Sequence, residues 1–376
     1  MAWAITCPAV DRAWYRSYNF VLAGVCVLIA LAGVLFIHSA TLHDPAASSE
    51  AKKQALYLIA GIGVMIAFSS IDYHWWKKAA PYLYALNLIL LGIVLAKGQS
   101  ALGAQRWISL GPLGTFQPSE FAKFFMAVTL AAMLSEERKY DKLRDLVNPL
   151  FTLAFPALLV VKQPDLGTTL VLGAIFTTQL FFGLDNLRVF AVYTAGVVAT
   201  AAFTVGTSFV LKPFQRSRLL VFLNPKADPQ GAGWNLNQSK IAVGDGQLLG
   251  RGLFHGSQTQ LNFVPEHSRD FIFTVLAEET GFIGAAALLA AYAVVLWGGI
   301  AAVASARDKF GVLLAAGFVA MVAFHVMVNV GMTIGIMPIA GIPLPFMSFG
   351  GSALITNFMA IGVLLNIYLQ RHRLVF

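Results

Sequence analysis

The chain has 376 residues, of which 58% are hydrophobic and 12% charged, with a mean hydropathy of +0.72. So much apolar surface cannot be hidden in a water-soluble core, which excludes an ordinary soluble enzyme and calls for lipid as the solvent. The formal charge of +8 fits loops facing anionic head groups and gives no reason to invoke nucleic acid.

A bilayer core of roughly 30 Å takes about 20 apolar residues in helical form. By that ruler spans are expected near 20–38, 55–71, 80–96, 118–134, 148–162, 166–183, 188–211, 270–298, 310–333 and 352–369. The fold class is therefore an all-α polytopic membrane protein of about ten transmembrane helices, one integral membrane domain over 1–376. Phe20 to Ile37 is long enough to stay in the membrane and has no small-residue cleavage site, so it reads as a retained helix. Cys7 and Cys26 support neither a disulfide framework nor a cysteine metal site.

The charged linkers Asp72 to Lys78, Glu136 to Asp145, Asp185 to Arg188 and Arg307 to Lys309 each follow an even-numbered span. Their side collects far more Lys and Arg than the short loops opposite, with Arg12, Arg16, Arg371 and Arg373 near the ends of the chain. The positive-inside rule puts that side, and both termini, in the cytoplasm. The polar segment 212–269, between spans seven and eight, then forms a large extracytoplasmic loop. Lys212, Arg216, Arg218, Lys226, Lys240, Arg251 and Arg269 outnumber Asp228, Asp245 and Glu266 there. That basic excess suits an anionic ligand, although long loops also escape the charge rule.

Asp270 stands where this loop enters the eighth span, where a carboxylate suits a general base and equally a helix N-cap. Glu278 and Glu279 follow within the span, and intramembrane carboxylates need a functional or paired role. His325 and Asn329, four residues apart, share a face of the ninth span and read as interhelical glue. Gly103 to Trp107 carries Arg106, and Phe116 to Lys123 opens a helix with Pro118, Ser119, Glu120 and Lys123. Glu120 and Lys123 form either a membrane-edge ion pair or, with Arg106, part of a phosphate site. Lys162 to Thr169 breaks the backbone between spans five and six, and Gly341 to Ser352, which includes Ser348, makes a rigid turn before the last span.

Taken in order, Gly103 to Trp107, Gln117 to Lys123, Gln163 to Thr168, Asn224-Pro225, Pro265 to Glu279 and Pro343 to Ser352 resemble the motifs of the SEDS family (shape, elongation, division and sporulation), which includes RodA and FtsW. Gly250 to Leu253 and Gly256 to Leu261 are similar to the RodA branch. The resemblance implies a glycosyltransferase of the bacterial cytoplasmic membrane that polymerises lipid II at the outer face during cell elongation. It also implies a class B penicillin-binding protein as the transpeptidase partner. Asp270 matches the family's essential aspartate and is expected to deprotonate the acceptor 4-hydroxyl. Arg106, Lys123, Glu120, Glu266 and Ser348 are expected to bind substrate. The chain departs from the family's His-Thr before the aspartate, having Ser268-Arg269 with His267 displaced by one. No cofactor is demanded, while a divalent cation at the pyrophosphate is left open. A lipid II flippase and a non-enzymatic scaffold compete with this reading. Transport predicts polar groups throughout the membrane, transfer chemistry a concentration at the outer face.

Overall fold

The structure is a computed structural model that describes residues 18–43, 47–101, 104–109, 111, 115–136, 140–206, 221–222 and 231–372. Of the residues singled out above, Cys7, Arg12, Arg16, Gly103, Lys212, Arg216, Arg218, Asn224, Pro225, Lys226, Asp228 and Arg373 lie outside that set.

Twelve helices and a small sheet are formed by the described residues. The first three helices are α1 (Phe20–Ala40), α2 (Glu50–Ser70) and α3 (Tyr73–Lys97). Strands β1 (Gln99–Ala101), β2 (Ala104–Ser109) and β3 (Thr115–Phe116) then lead into α4 (Pro118–Leu134). Helices α5 (Val147–Lys162), α6 (Leu166–Gly183) and α7 (Leu187–Gly206) follow. Beyond them come α8 (Ala232–Asp245), the short α9 (Ser257–Gln260), α10 (Ile272–Ser305), α11 (Lys309–Ile334) and α12 (Gly351–Leu369).

Several helices begin where a side chain satisfies an amide of the first turn. Asn19 accepts from the amide of Leu22 at 3.0 Å, Asp72 from that of His74 at 2.9 Å and Asp165 from that of Thr168 at 3.2 Å. Eight helical segments are long and apolar enough to cross a bilayer: α1, α2, α3, α5 with its preceding turn, α6, α10, α11 and α12. The other two expected spans are also helical. Helix α4 has 17 residues and is almost wholly buried, and α7 is an apolar helix with mostly exposed side chains. Leu28, Leu31, Ile59, Ile89, Val198 and Trp297 are exposed apolar side chains on these helices. In water they would form an aggregation surface, and in a bilayer they are the lipid contact.

Helices α4, α11 and α12 are the most buried, and their side chains join one continuous core with α1, α2, α6 and α10. Close helix packing of the kind membranes favour joins α2 to α12, since a Cβ on Gly61 would sit 2.4 Å from the Phe358 ring. Buried Gln179 ties three helices by donating to the carbonyls of Ala127 (2.8 Å) and Leu313 (3.1 Å).

Two connecting segments hold regular structure, and one sequence expectation, the continuous eighth span, needs correction. The stretch between the third and fourth spans is not all loop, because β1 pairs antiparallel with β2, and β2 with β3. Segment 212–269 is not structureless, since it holds α8 and α9. The eighth span is not a continuous helix from Asp270. Its N-cap is Phe271, and at Gly281 (φ 66°, ψ −162°) the helix breaks.

Loop backbone stitches this break. The carbonyls of Glu278 and Glu279 accept from the amides of Arg251 (2.9 Å) and Gly252 (3.0 Å), while the amides of Phe282 and Ile283 donate to Gln247 (2.8 Å) and Leu248 (3.2 Å). Four backbone groups beside the break thus find partners in the loop, as irregular backbone at membrane depth requires. Glycine is required at Gly281 because a Cβ there would stand 2.4 Å from the amide nitrogen of Gly250.

Candidate active site

The described motif segments meet at one end of the bundle. Pro118 starts α4, and the preceding Gln117 amide donates to the Ser352 hydroxyl at 3.0 Å, joining α4 to the first turn of α12. Ser119 donates to the Asp165 carboxylate at 3.2 Å, and that carboxylate also accepts from the Thr168 hydroxyl at 2.9 Å. Arg106, on β2, donates from Nε to the carbonyl of Gln163 at 3.0 Å and from Nη2 to that of Pro164, with Nη1 3.8 Å from Asp165. The guanidinium thus organises the break between α5 and α6 and keeps partial exposure. Gly167 brings this break against the last loop, since a Cβ would lie 2.8 Å from the Ala340 carbonyl oxygen.

Asp270 is half-buried in the turn before α10, and its neighbours hold that turn from three directions. From α1, the Ala40 carbonyl oxygen lies 3.0 Å from His267 Nε2. From α2, Glu50 accepts from the Ser268 hydroxyl at 2.8 Å and from Arg269 at 3.4 Å, while Arg269 also lies 3.5 Å from Glu266. From the last loop, Ser348 donates to the Arg269 carbonyl at 2.6 Å and accepts from the Leu344 amide at 2.8 Å. Buried Gln54 fixes that loop in turn, donating to the Ser348 carbonyl at 3.1 Å and accepting from Gly350 at 3.2 Å. Displaced by one from the family pattern, His267 still has a defined place, wedged between the carbonyls of Val264 and Ala40.

Glu120 and Lys123 form the deeper layer. Their ion pair is 2.7 Å long and its side chains are 5% and 2% exposed, so it is an interior pair and not one at the membrane edge. Lys123 Nζ also lies 2.9 Å from His325 Nε2 on α11. One turn further along α11, Asn329 donates to the carbonyls of Asp270 and Ile342, at 2.8 Å each. The face of α11 that reads from sequence as glue thus touches both the buried lysine and the aspartate turn.

The two remaining carboxylates serve architecture. Buried Glu278 accepts from the amides of Gln258 (2.7 Å) and Thr259 (3.1 Å) and from the Thr259 hydroxyl (2.6 Å), pinning α9 to α10. Glu279 accepts from Ser39 of α1. Within the loop, Arg251 is taken up by Asp245, and the guanidinium bonded there holds the Asp245 carboxyl below its usual range. Among the described residues no group of three His, Cys, Asp or Glu side chains is placed to hold a metal ion.

Sequence reasoning brought Asp270, Arg106, Glu120, Lys123, Glu266 and Ser348 to this end of the molecule but missed Glu50 and Gln54. The signal for Glu50 was hidden by Lys52 and Lys53 beside it, which make the segment look like a charged linker.

The sequence model of the FtsW/RodA/SpoVE family of cell cycle proteins matches residues 19–373. The chain belongs to that family. It is 39% identical over 315 residues to the peptidoglycan glycosyltransferase MrdB of Escherichia coli K12, covering 84% of each chain. Among solved structures, a chain of a peptidoglycan synthase complex that coordinates polymerization and crosslinking superposes with a TM-score of 0.81 at 29% identity, covering 95% of this chain and 99% of that one. The rod shape determining protein RodA of Thermus thermophilus gives a TM-score of 0.70 at 27% identity, over 95% and 98%. This FtsW/RodA/SpoVE chain therefore shares its fold over nearly its whole length with a chain of a peptidoglycan synthase complex and with a rod shape determining protein.

Proposed function

We propose that this chain is a peptidoglycan glycosyltransferase that polymerises lipid II at the outer face of the cytoplasmic membrane during cell elongation. The observation that carries the reading is convergence. Segments around Glu50, Arg106, Lys123, Asp165, Asp270 and Ser348 close on one end of the bundle, and relatives covered over most of their length carry this activity in their names.

The Asp270 carboxylate takes the proton from the acceptor sugar's 4-hydroxyl as that oxygen bonds to the anomeric carbon of the donor. The bond from that carbon to the donor's pyrophosphate oxygen breaks, and undecaprenyl pyrophosphate leaves with the electron pair. Arg106 and Lys123 supply positive charge to the pyrophosphate, the electrostatic contribution that dominates such steps. Glu120 holds Lys123, Glu266 and Glu50 hold Arg269, and Ser348 sets the backbone beside Asp270. Any divalent cation at the pyrophosphate would be additional to these roles.

In this reading ten helices cross the membrane, segment 212–269 lies outside, and both termini are cytoplasmic. A class B penicillin-binding protein is the crosslinking partner. The synthase complex whose chain superposes here, described as coordinating polymerization with crosslinking, supports that assignment. The acidic and lysine side chains buried in the bundle, Glu120, Lys123, Asp165, Glu278 and Glu279, lie at or within about three turns of the N-terminal ends of α4, α6 and α10 and not along a path through the membrane, which favours transfer over transport.

The test is purified protein with fluorescent lipid II, read on a gel that resolves long glycan chains. Chains are expected. Movement of lipid II between leaflets of liposomes without chain formation would establish the flippase instead, and neither activity would leave a scaffold.

A further inference from the structure

The buried pair of Glu120 and Lys123 has a third member whose protonation is fixed by its neighbours. His325 is 1% exposed, and its Nδ1 lies 2.6 Å from the Met321 carbonyl oxygen, one turn back on α11. A carbonyl only accepts, so Nδ1 carries the hydrogen. The opposite nitrogen, Nε2, lies 2.9 Å from Lys123 Nζ, and an ammonium only donates. His325 is therefore the neutral tautomer with its Nε2 lone pair aimed at the lysine. Two of the three ammonium hydrogens then have described partners, Glu120 at 2.7 Å and His325 at 2.9 Å.

We propose that His325 is a positioning residue for glycosyl transfer, holding Lys123 so that its remaining N–H faces the anion formed at the Asp270 end of the bundle. This rests on the reading of Lys123 as a charge partner of the pyrophosphate. A lysine ammonium is a point charge on a flexible stem, and direction must be imposed on it from outside. Glu120 sits on the same helix, and its negative charge offsets the lysine's field. A neutral acceptor on a second helix fixes the direction without offsetting the positive charge any further. Helix α11 is suited to this because Asn329, four residues after His325, bonds the Asp270 carbonyl at 2.8 Å. One helix face thus sets the lysine and the aspartate turn relative to each other.

Two substitutions in the full-length protein separate positioning from packing. His325→Phe keeps a ring of similar size and removes the acceptor, and His325→Gln keeps a neutral acceptor with a different shape. In steady-state lipid II polymerisation, His325→Phe is expected to lower kcat about thirtyfold with KM changed less than about threefold, because the affected charge develops in the transition state. His325→Gln is expected to recover kcat to within about fivefold of the parent. Parental kcat in His325→Phe, or a Gln variant no better than Phe, overturns the proposal. If melting in detergent shows His325→Phe unfolded, His325→Leu replaces it with the same expectation. Lys123→Met is measured alongside: parental kcat there sinks the lysine reading itself, whereas its loss beside an unaffected His325→Phe sinks only the histidine's role.

Discussion

Asn329 holds the backbone of Asp270: its buried side-chain amide donates to the Asp270 carbonyl at 2.8 Å and, with its other hydrogen, to Ile342 at 2.8 Å. One residue thus joins the aspartate turn to the loop that precedes α12. Asn329→Leu leaves both carbonyls without this donor, at a cost of about 1–3 kcal/mol each. The expected outcome is a lower melting temperature in detergent and glycan synthesis reduced by about tenfold or more, because small misplacements of a reacting group weigh heavily on rate. Parental activity in a destabilised variant would show that the turn does not depend on this bond.

The Glu120–Lys123 pair makes a prediction about stability that is separate from activity. Removing one partner of a buried pair leaves an uncompensated charge and costs about 3–5 kcal/mol, while removing both is far milder. Lys123→Met is therefore expected to lower the melting temperature markedly, and adding Glu120→Gln to recover most of the loss without restoring polymerisation. Recovery of both together would make the pair a structural element only.

Gly281 combines φ of 66° with a Cβ position 2.4 Å from the Gly250 amide nitrogen. Gly281→Ala must displace the loop stitched into the helix break, and is expected to cost at least about 1–3 kcal/mol through strain and lost hydrogen bonds. The check is folded yield from detergent extracts. An alanine variant as stable as the parent would mean that the break is not required.

At the opposite end, Asp72 accepts from both the amide and the ring of His74, at 2.9 and 2.8 Å. Burial raises its carboxyl's affinity for protons, but the hydrogen bonds from His74 and Gln370 together with the charge of His74 outweigh that and leave the pKa below its usual range. A depressed folded pKa gives stability that is present above the unfolded value of about 3.9 and is lost as pH falls through the folded one. Because the side chain is 54% exposed, the contribution is expected to stay under about 1 kcal/mol. Melting curves between about pH 6 and pH 3 should show Asp72→Asn losing less on acidification than the parent. Parallel curves would remove Asp72 from the pH response.

What was legible in the sequence follows from where the signal lives. Apolar runs of membrane length announce their helices locally, and each expected span overlaps a helix of the described residues, with α2 and α3 starting five and seven residues earlier because Glu50, Lys52, Lys53, Lys77 and Lys78 interrupt the apolar pattern. Glu278, Glu279 and Thr280 interrupt the apolar run just before Gly281, but they do not encode a break there, which only the distant Gly246 to Gly252 loop makes possible. Asp270 was found through its motif. The grip of Arg106 on Gln163 and Pro164, and of Glu50 on Ser268, joins residues far apart in the chain, and no periodicity encodes such pairings.

The most direct measurement is polymerisation of fluorescent lipid II by purified Asp270→Asn, an isosteric change that removes the proton acceptor while keeping the turn. The account predicts folded protein that still binds lipid II and makes glycan chains at least about a hundredfold more slowly. Chains of parental length at parental rate would contradict it.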